Sequence, residues 1–291
     1  GPLIMPAVEQ AVEQRDRNAA NIEVVRQSAR LNAPDRFYAA LFAPASVRDD
    51  LIALAAFSGE IGRIADHVSE AALGEIRIAW WRDTLLVRED NGLSGNPVLD
   101  AFADVARRHR LPLDRIEGFL SAHADALYPG APADDGAFDS SMANIDGTPF
   151  EFAAQILGAD VGPNTAELFH AAARAYGLAR IGLELPRSIM RGCLPLPEAH
   201  APATGAFPEM QDWRPQIAWL ADEGHRAMSE VRRHLAEKPC VFATALLPLA
   251  LVEPYFRALQ DPRHAPTRDL VEIAPLARLW RIGRAHWSGR I

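Results

Sequence analysis

Residues 56–70 read AFSGEIGRIADHVSE. Outward from this stretch, Leu51, Leu54, Ser58, Ile61 and Ala65 recur at steps of three and four, which marks one buried face of an amphipathic helix. Ahead of it, PASVRDD supplies Pro44 as a stop for the preceding segment and Ser46 as the expected N-cap. At its far end Asp66 and Glu70 lie four residues apart, close enough to share a face. Two readings of that pair are open. It makes a two-carboxylate metal site, or Asp66 pairs with Arg63 or a neighbouring helix while Glu70 sits in the first turn of the next helix, with Ser69 or His67 near the break.

The same helical period governs the rest of the chain. Helices are expected through residues 72–87, where Ile76, Ala79, Trp80 and Asp83 to Leu86 follow it, and over Val98–His109, Leu113–Leu127, Ser140–Leu157 and Thr165–Leu185. DNGLSGNP, residues 90–97, is a turn cluster, and the proline-rich stretch 194–210 reads as a surface loop. Helices resume over Gln216–Leu235, Val241–Leu259 and Ala274–Trp287. No segment alternates with period two and no repeat emerges, so sheet content should be close to nil. About ten helices without a linker predict an all-α fold in a single helical domain spanning residues 21–291, with residues 1–20 as a tail and the start of the first helix.

Composition narrows the function classes. With 49% hydrophobic residues the 291-residue chain can bury a sizeable core. A net charge of −8 argues against general nucleic-acid binding, since phosphate backbones need positive surface. Lys238 is the single lysine, so nearly all 30 basic residues are arginine, the side chain suited to bidentate contact with phosphate or carboxylate; a compositional bias towards Arg and Ala explains the same count. Cys193 and Cys240 show no C-x-x-C spacing, which fits a reducing compartment. The start, GPLIMPAVEQ, is no secretory signal, and Gly1 to Ile4 resemble a cloning scar before Met5. The apolar run Val241–Val252 is too short to cross a bilayer, so a cytoplasmic protein at most peripheral to the inner membrane is expected. The nine histidines have no zinc-ligand spacing, and no phosphate-loop, dinucleotide-binding, nucleophile-elbow or zinc-protease motif occurs.

Three stretches carry a resemblance: DRFYAALFAP (35–44), AAFSGEIGRIADHV (55–68) and GCLPLP (192–197). In order and separation they resemble the squalene/phytoene synthase family, over most of the chain from about Ala29. The resemblance implies an isoprenoid-synthase-type helical bundle around a central cavity. It also implies two facing helices whose acids, one turn apart, hold the Mg²⁺ that neutralises a leaving diphosphate. Here the first acidic run is reduced to Asp66, with Gly62 and Arg63 at the positions of its first two acids, and a family arginine falls on Gly59. On the second helix, residues 177–197, the positions of the family's Asn and Asp read Leu183 and Arg187, Glu184 is expected to point elsewhere, and Pro186 should kink the helix.

A narrower resemblance is to the branch of that superfamily containing the mitochondrial complex I assembly factor and its bacterial relatives. It is carried by Ala56, Phe57, Glu60, Asp66, Val68, Ser69, Glu70, Gly74, Arg77 and Trp81, with Ser58 for an Asn, then by Pro186, Arg191 and Gly192, with Ser188 for a His, and by residues 247–259 and 278–291. The implied protein keeps the fold and abandons the reaction. It has no catalytic residue and no cofactor, binds an isoprenoid or lipid, and assists assembly of a respiratory complex, with a subunit of that complex as partner. The ligand-binding candidates are Tyr38, Arg48, Gly62, Asp66, Glu70, Arg187 and Arg191. The alternative is an active head-to-head prenyltransferase with magnesium on Asp66, Glu70 and Glu60.

Three further readings stay open. Arg180, Arg187 and Arg191 align on a straight helix and could replace a metal at an anion, or form a solvated, ion-paired row. Of Trp80 and Trp81, one is expected in the core and the other at a cavity mouth or partner surface. Trp280 and Trp287 with Arg278, Arg281, Arg284 and Arg290 suit an anionic membrane surface, or a final helix packed on the bundle with its arginines in water.

Overall fold

The computed structural model describes the backbone of residues 4–87, 92–202, 207–238 and 241–291, with side chains from residue 7 onward. Cys240 and parts of the 90–97 and 194–210 segments lie outside the described residues. Within them the chain is all-α, and the only strand-like feature is an isolated bridge between Gly130 and Cys193. The first half comprises α1 (Ile4–Asn32), α2 (Pro34–Ala40), α3 (Ala45–Arg63), α4 (Ala71–Arg82), α5 (Pro97–Arg108) and α6 (Leu113–Asp125). The second comprises α7 (Asp135–Met142), α8 (Thr148–Ile156), α9 (Ala166–Met190), α10 (Arg214–Glu237), α11 (Val252–Leu259) and α12 (Pro275–Ser288). α1 runs unbroken through residue 20, exposed over residues 7–24, and its first buried residue is Val25.

Two apolar clusters organise the bundle. In one, Phe57 of α3 stacks on Phe102 of α5 with ring centres 3.8 Å apart and touches Trp81 and Phe119 of α4 and α6. The other gathers around α9, where Phe169, Leu178 and Leu185 meet Trp213 and Leu220 near and on α10 and Phe256 of α11. α8 joins them by placing Phe150 in one cluster and Phe152 in the other. The paired tryptophans divide as the helical period requires: Trp81 is 5% exposed and Trp80 43%.

Proline chemistry explains most departures from the expected helices. The helix expected over 140–157 is present, running without interruption from Asp135 to Ile156, and widens to a π-turn at Ala143–Gly147 before Pro149, whose ring nitrogen cannot donate to the preceding turn. The segment 241–259 begins as a 3₁₀ run, Ala243–Leu251, with Pro248 inside it, and becomes helical only in α11. α9, by contrast, continues through Pro186 to Met190, because one lost bond in a last turn is offset by closing bonds from Arg191 to Arg187 and from Cys193 to Ser188. Ser46 is not the cap of α3. The helix starts at Ala45 behind Pro44, whose carbonyl accepts from Val47 and Arg48. The 194–210 segment is also less superficial than expected, since Leu196 and Pro197 are buried.

Buried polar groups fix how the helices meet. Asp35, 3% exposed in the first turn of α2, accepts hydrogen bonds from Tyr176 of α9 at 2.6 Å, Tyr255 of α11 at 2.7 Å and Arg278 of α12 at 2.8 Å. Burial, followed by the Asp35 charge, pushes both tyrosine hydroxyls well above their usual range, so they remain donors. Asp146, in the π-turn, accepts two bonds from Arg180 of α9, each 2.8 Å. Gly59 sets the approach of α1 to α3, because a Cβ there would lie 2.7 Å from Asn32 Cβ and 2.8 Å from its backbone carbon. An arginine at that position, as the family resemblance would have it, has no room.

Three stability outcomes follow from these contacts. Gly59→Ala should cost about 1–3 kcal/mol in urea denaturation, by forcing α1 from α3. Asp35→Asn should cost about 3–5 kcal/mol, because it leaves the Arg278 charge without its buried counter-ion. His123 of α6, wedged against Phe119, is held by burial, with a smaller push from Arg180, at a pKa of about 3 against the ordinary 6.5. Below pH about 6.5 the unfolded chain takes up a proton that the folded one refuses, so stability should fall by up to about 1.4 kcal/mol per pH unit towards pH 3. His123→Gln should flatten the pH 6.5–5 part of that profile, above the range where most carboxylates titrate.

Candidate functional site

Where the C-terminal ends of α3 and α9 face each other, a cavity of about 210 Å³ opens above the start of α2. Its walls carry Gly59, Gly62 and Arg63 of α3, Asp66 of the 3₁₀ turn Ile64–His67 that follows, and Glu184, Arg187 and Arg191 of α9 and its end. Asn32, Asp35, Arg36, Ser58, His123, Tyr176 and Tyr255 complete the polar lining. Helical spacing accounts for the α9 side: 184, 187 and 191 succeed one another at steps of three and four, so one face presents all three. The turn after α3 swings Asp66 across to meet them.

Asp66 is occupied on both oxygens. Arg191 Nη1 donates to Oδ1 at 3.2 Å, while Arg63 Nε lies 3.3 Å and Arg187 Nη1 3.9 Å from Oδ2. This arrangement corresponds to the ion-paired reading of Asp66 and Glu70. Asp66 pairs with Arg63 and with a neighbouring helix, and Glu70 is the exposed residue that precedes α4. The expected row of three arginines divides, because Arg180 turns to Asp146 and Glu184 while Arg187 and Arg191 stay with Asp66. Glu184 does not point elsewhere as expected; it lines the cavity, held by Arg180 at 3.2 Å.

This donor set does not suit a divalent cation. A magnesium ion needs carboxylate oxygens free to approach it, and here the one acid between the facing helix ends is surrounded by guanidinium groups. Leu183, on the position of the family's Asn, packs against the α9 core. Among the described residues no group of three or more His, Cys, Asp or Glu side chains could hold a metal.

Positive charge is in excess instead. The lining carries four guanidinium groups, those of Arg36, Arg63, Arg187 and Arg191, against the three carboxylates of Asp35, Asp66 and Glu184, and Arg278 and Arg180 pair with Asp35 and Glu184 from outside it. Three buried donor atoms, Arg36 Nη2, Arg63 Nε and Arg191 Nε, have no hydrogen-bond partner. A neutral donor left so costs about 1–3 kcal/mol, and a charged one more. Arg36 is steadied by ring faces, its guanidinium carbon 4.9 Å from the centre of Tyr176 and 5.2 Å from that of Phe150.

The neighbouring spaces differ in character, and the largest, about 600 Å³ beside Ile64, Ile76, Trp80 and Trp81, shares Asn32 and Arg63 with the charged cavity. Beyond Arg36 and Pro149 the apolar interior is nearly filled, leaving about 20 Å³, room for about one water. On the other side a cavity of about 550 Å³ lies between α6, α7 and the end of α9, sharing Ile145, Glu184 and Arg191 with the first. Phe138, Met142, Ile181 and Leu194 are among its apolar walls.

Of the residues singled out in the sequence, the structure brings Gly62, Asp66, Arg187 and Arg191 together and leaves Tyr38, Arg48 and Glu70 away from the cavity. Tyr38 packs edge-on against Phe37 between the two clusters, and Arg48 donates to the Ala43 carbonyl at 2.9 Å. Arg36 and His123 were missed. Arg36 stands beside the quoted Tyr38, but its aromatic partners lie more than a hundred residues away, and His123 is an isolated histidine on an amphipathic helix. Arg278 also departs from the basic C-terminal segment, since it points inward to Asp35 while Trp280 and Trp287 remain exposed.

The comparisons with known proteins agree with this architecture. The Squalene/phytoene synthase family profile matches residues 29–289. No curated protein matches the chain significantly. Among solved structures, squalene synthase HpnC from Alicyclobacillus acidocaldarius is 17% identical with a TM-score of 0.62, covering 92% of this chain and 95% of that one. A dehydrosqualene synthase in complex with ligand is 13% identical with a TM-score of 0.69, covering 94% and 99%. At these identities the structures support the fold, and the family profile, which spans most of the sequence, supports membership: the chain belongs to the squalene/phytoene synthase family.

Proposed function

We propose that this protein keeps the synthase fold without the synthase reaction, and binds an isoprenoid or lipid as an accessory factor in the assembly of a respiratory complex. The observation that carries the reading is the state of Asp66, whose two oxygens face Arg63, Arg187 and Arg191 with no acid opposite at Leu183 or Arg187. Ionising a prenyl diphosphate separates charge inside a protein, and that step needs preorganised cationic stabilisation of the leaving group. In the family this comes from metals held on facing acids, and this chain has given up those ligands.

Binding is supported separately. The 550 Å³ cavity is within the usual range for small-molecule sites and has the mixed apolar and polar walls of one. The assembly role rests on the resemblance of residues 56–81 to the complex I assembly-factor branch. Trp280 and Trp287, 62% and 72% exposed, with Arg281, Arg284 and Arg290, give α12 an outward basic and aromatic face, which supports work at an anionic membrane surface. No helix among the described residues is long and apolar enough to cross a membrane.

The test is incubation of the full chain with farnesyl or geranylgeranyl diphosphate and Mg²⁺, read by chromatography, beside native mass spectrometry of the purified protein. The expected result is no condensed hydrocarbon product and a retained or added amphiphilic ligand. Turnover at an enzyme-like rate that Asp66→Asn abolishes would establish the prenyltransferase alternative.

A further inference from the structure

The structure assigns a metal-independent oxyanion site to the cavity between α3 and α9: Arg36, Arg63, Arg187 and Arg191 bind a phosphate or diphosphate group directly. This deepens the binding reading, on which it rests, by naming the chemistry of the ligand's polar end.

Three independent features converge. The first is charge, because four guanidinium groups line the cavity against three carboxylates, and two of those acids are already engaged by arginines outside the lining, Asp35 by Arg278 and Glu184 by Arg180. The second is unmet hydrogen bonding. Arg36 Nη2 and Arg191 Nε are buried donors without acceptors, Arg63 Nε lies 3.3 Å from Asp66 Oδ2 without making a hydrogen bond, and Arg187 reaches its carboxylate at 3.9 Å, too far for one. These arginines come from three elements, α2, α3 and the end of α9, and converge on one space. The third is size and wall chemistry. About 210 Å³ with charged walls accommodates a phosphate or diphosphate with some water, and not a fifteen-carbon prenyl chain.

Planar guanidinium groups suit such a ligand, because each can donate two parallel bonds to phosphoryl oxygens. Asp66 is then a built-in competitor. Its carboxylate holds the arginines in place while the cavity is free and must yield part of that pairing when an anion enters. The sign of its effect is therefore opposite to that in a magnesium site, where the same carboxylate is required for diphosphate binding. The ligand's source is either a free phosphate or the head group of a lipid. The second places the chain in the 550 Å³ cavity, which shares Arg191 with the first.

The experiment is isothermal titration of the full chain, in EDTA and at fixed ionic strength, with sodium pyrophosphate, farnesyl diphosphate and farnesol. Pyrophosphate and farnesyl diphosphate should bind without metal, the double change Arg187→Gln with Arg191→Gln should weaken them at least tenfold, and Asp66→Asn should tighten them several-fold. Should the double variant fail circular dichroism as a folded protein, Asp66→Asn carries the test alone, being isosteric and removing only the competing charge. Equal affinity for the two diphosphates marks a free anion as ligand, and a tenfold preference for the farnesyl ester marks a lipid head group. Binding that requires Mg²⁺ and weakens in Asp66→Asn overturns both this site and the non-catalytic reading. Binding of farnesol alone, with neither diphosphate bound in EDTA or Mg²⁺, overturns the oxyanion site and leaves the lipid-binding reading standing.

Discussion

A carboxylate can neutralise a divalent cation or a cluster of guanidinium groups, but not both at once, and the site between α3 and α9 turns on which of these Asp66 does. Ringed by Arg63, Arg187 and Arg191, its negative charge is cancelled and exceeded locally. Where an unpaired acid would draw in a cation, the same volume now has a surplus of positive groups and unfilled donors. Two nearby ion pairs maintain this state. Arg180 is clamped on Asp146 by two 2.8 Å bonds and reaches back to Glu184, so the one other acid facing the cavity has a partner of its own. Arginine is the suitable side chain for such a role, because it stays charged when partly buried, whereas a lysine can shed its proton under the same conditions.

The polar framework that holds the bundle together is largely separate from that cluster. Asp35 ties α2 to α9, α11 and α12 through Tyr176, Tyr255 and Arg278, and the apolar clusters around Phe57 and α9 supply the burial. None of these contacts uses Asp66, Arg63, Arg187 or Arg191. Positions 62, 63 and 187, where the resemblance would put acids, face a cavity and not the core, so their side chains are free to vary without dismantling the fold. Gly59 shows the reverse case: a position outside the metal motifs whose side chain is fixed by contact with Asn32 across a helix crossing.

How much was legible in the sequence follows from the range of the interaction. Helices declare themselves through local period, and α3, α5, α6 and α10 fall within a few residues of where that period puts them. Element boundaries near prolines were harder, because a proline's effect depends on its place in the turn: Pro149 follows a π-turn in a continuing helix and Pro248 lies in a 3₁₀ run, while α9 carries Pro186 with closing bonds beyond it. The site was half legible. Asp66, Gly62, Arg187 and Arg191 could be found because two motif positions and one helix face contain them. Read in sequence, Gly62, Arg63, Leu183 and Arg187 look like losses. Only when α9 is laid against α3 do two of them become a replacement charge set, joined by Arg36 from a helix whose role no local signal announces.

The cavity's dimensions carry the argument one step further. The apolar interior beyond Arg36, where a bundle of this kind could house a hydrocarbon chain, is reduced to about 20 Å³ by Leu51, Leu54, Ala55 and Pro248, while space of about 550 Å³ persists beside Arg191. A further space of about 600 Å³, sharing Asn32 and Arg63 with the charged cavity, lies on the other side beside Ile64, Ile76, Trp80 and Trp81. A charged cavity beside a larger compartment of mixed apolar and polar walls suits an amphiphile with its head among the arginines and its tail beyond Arg191, which is the arrangement the proposed binding role requires.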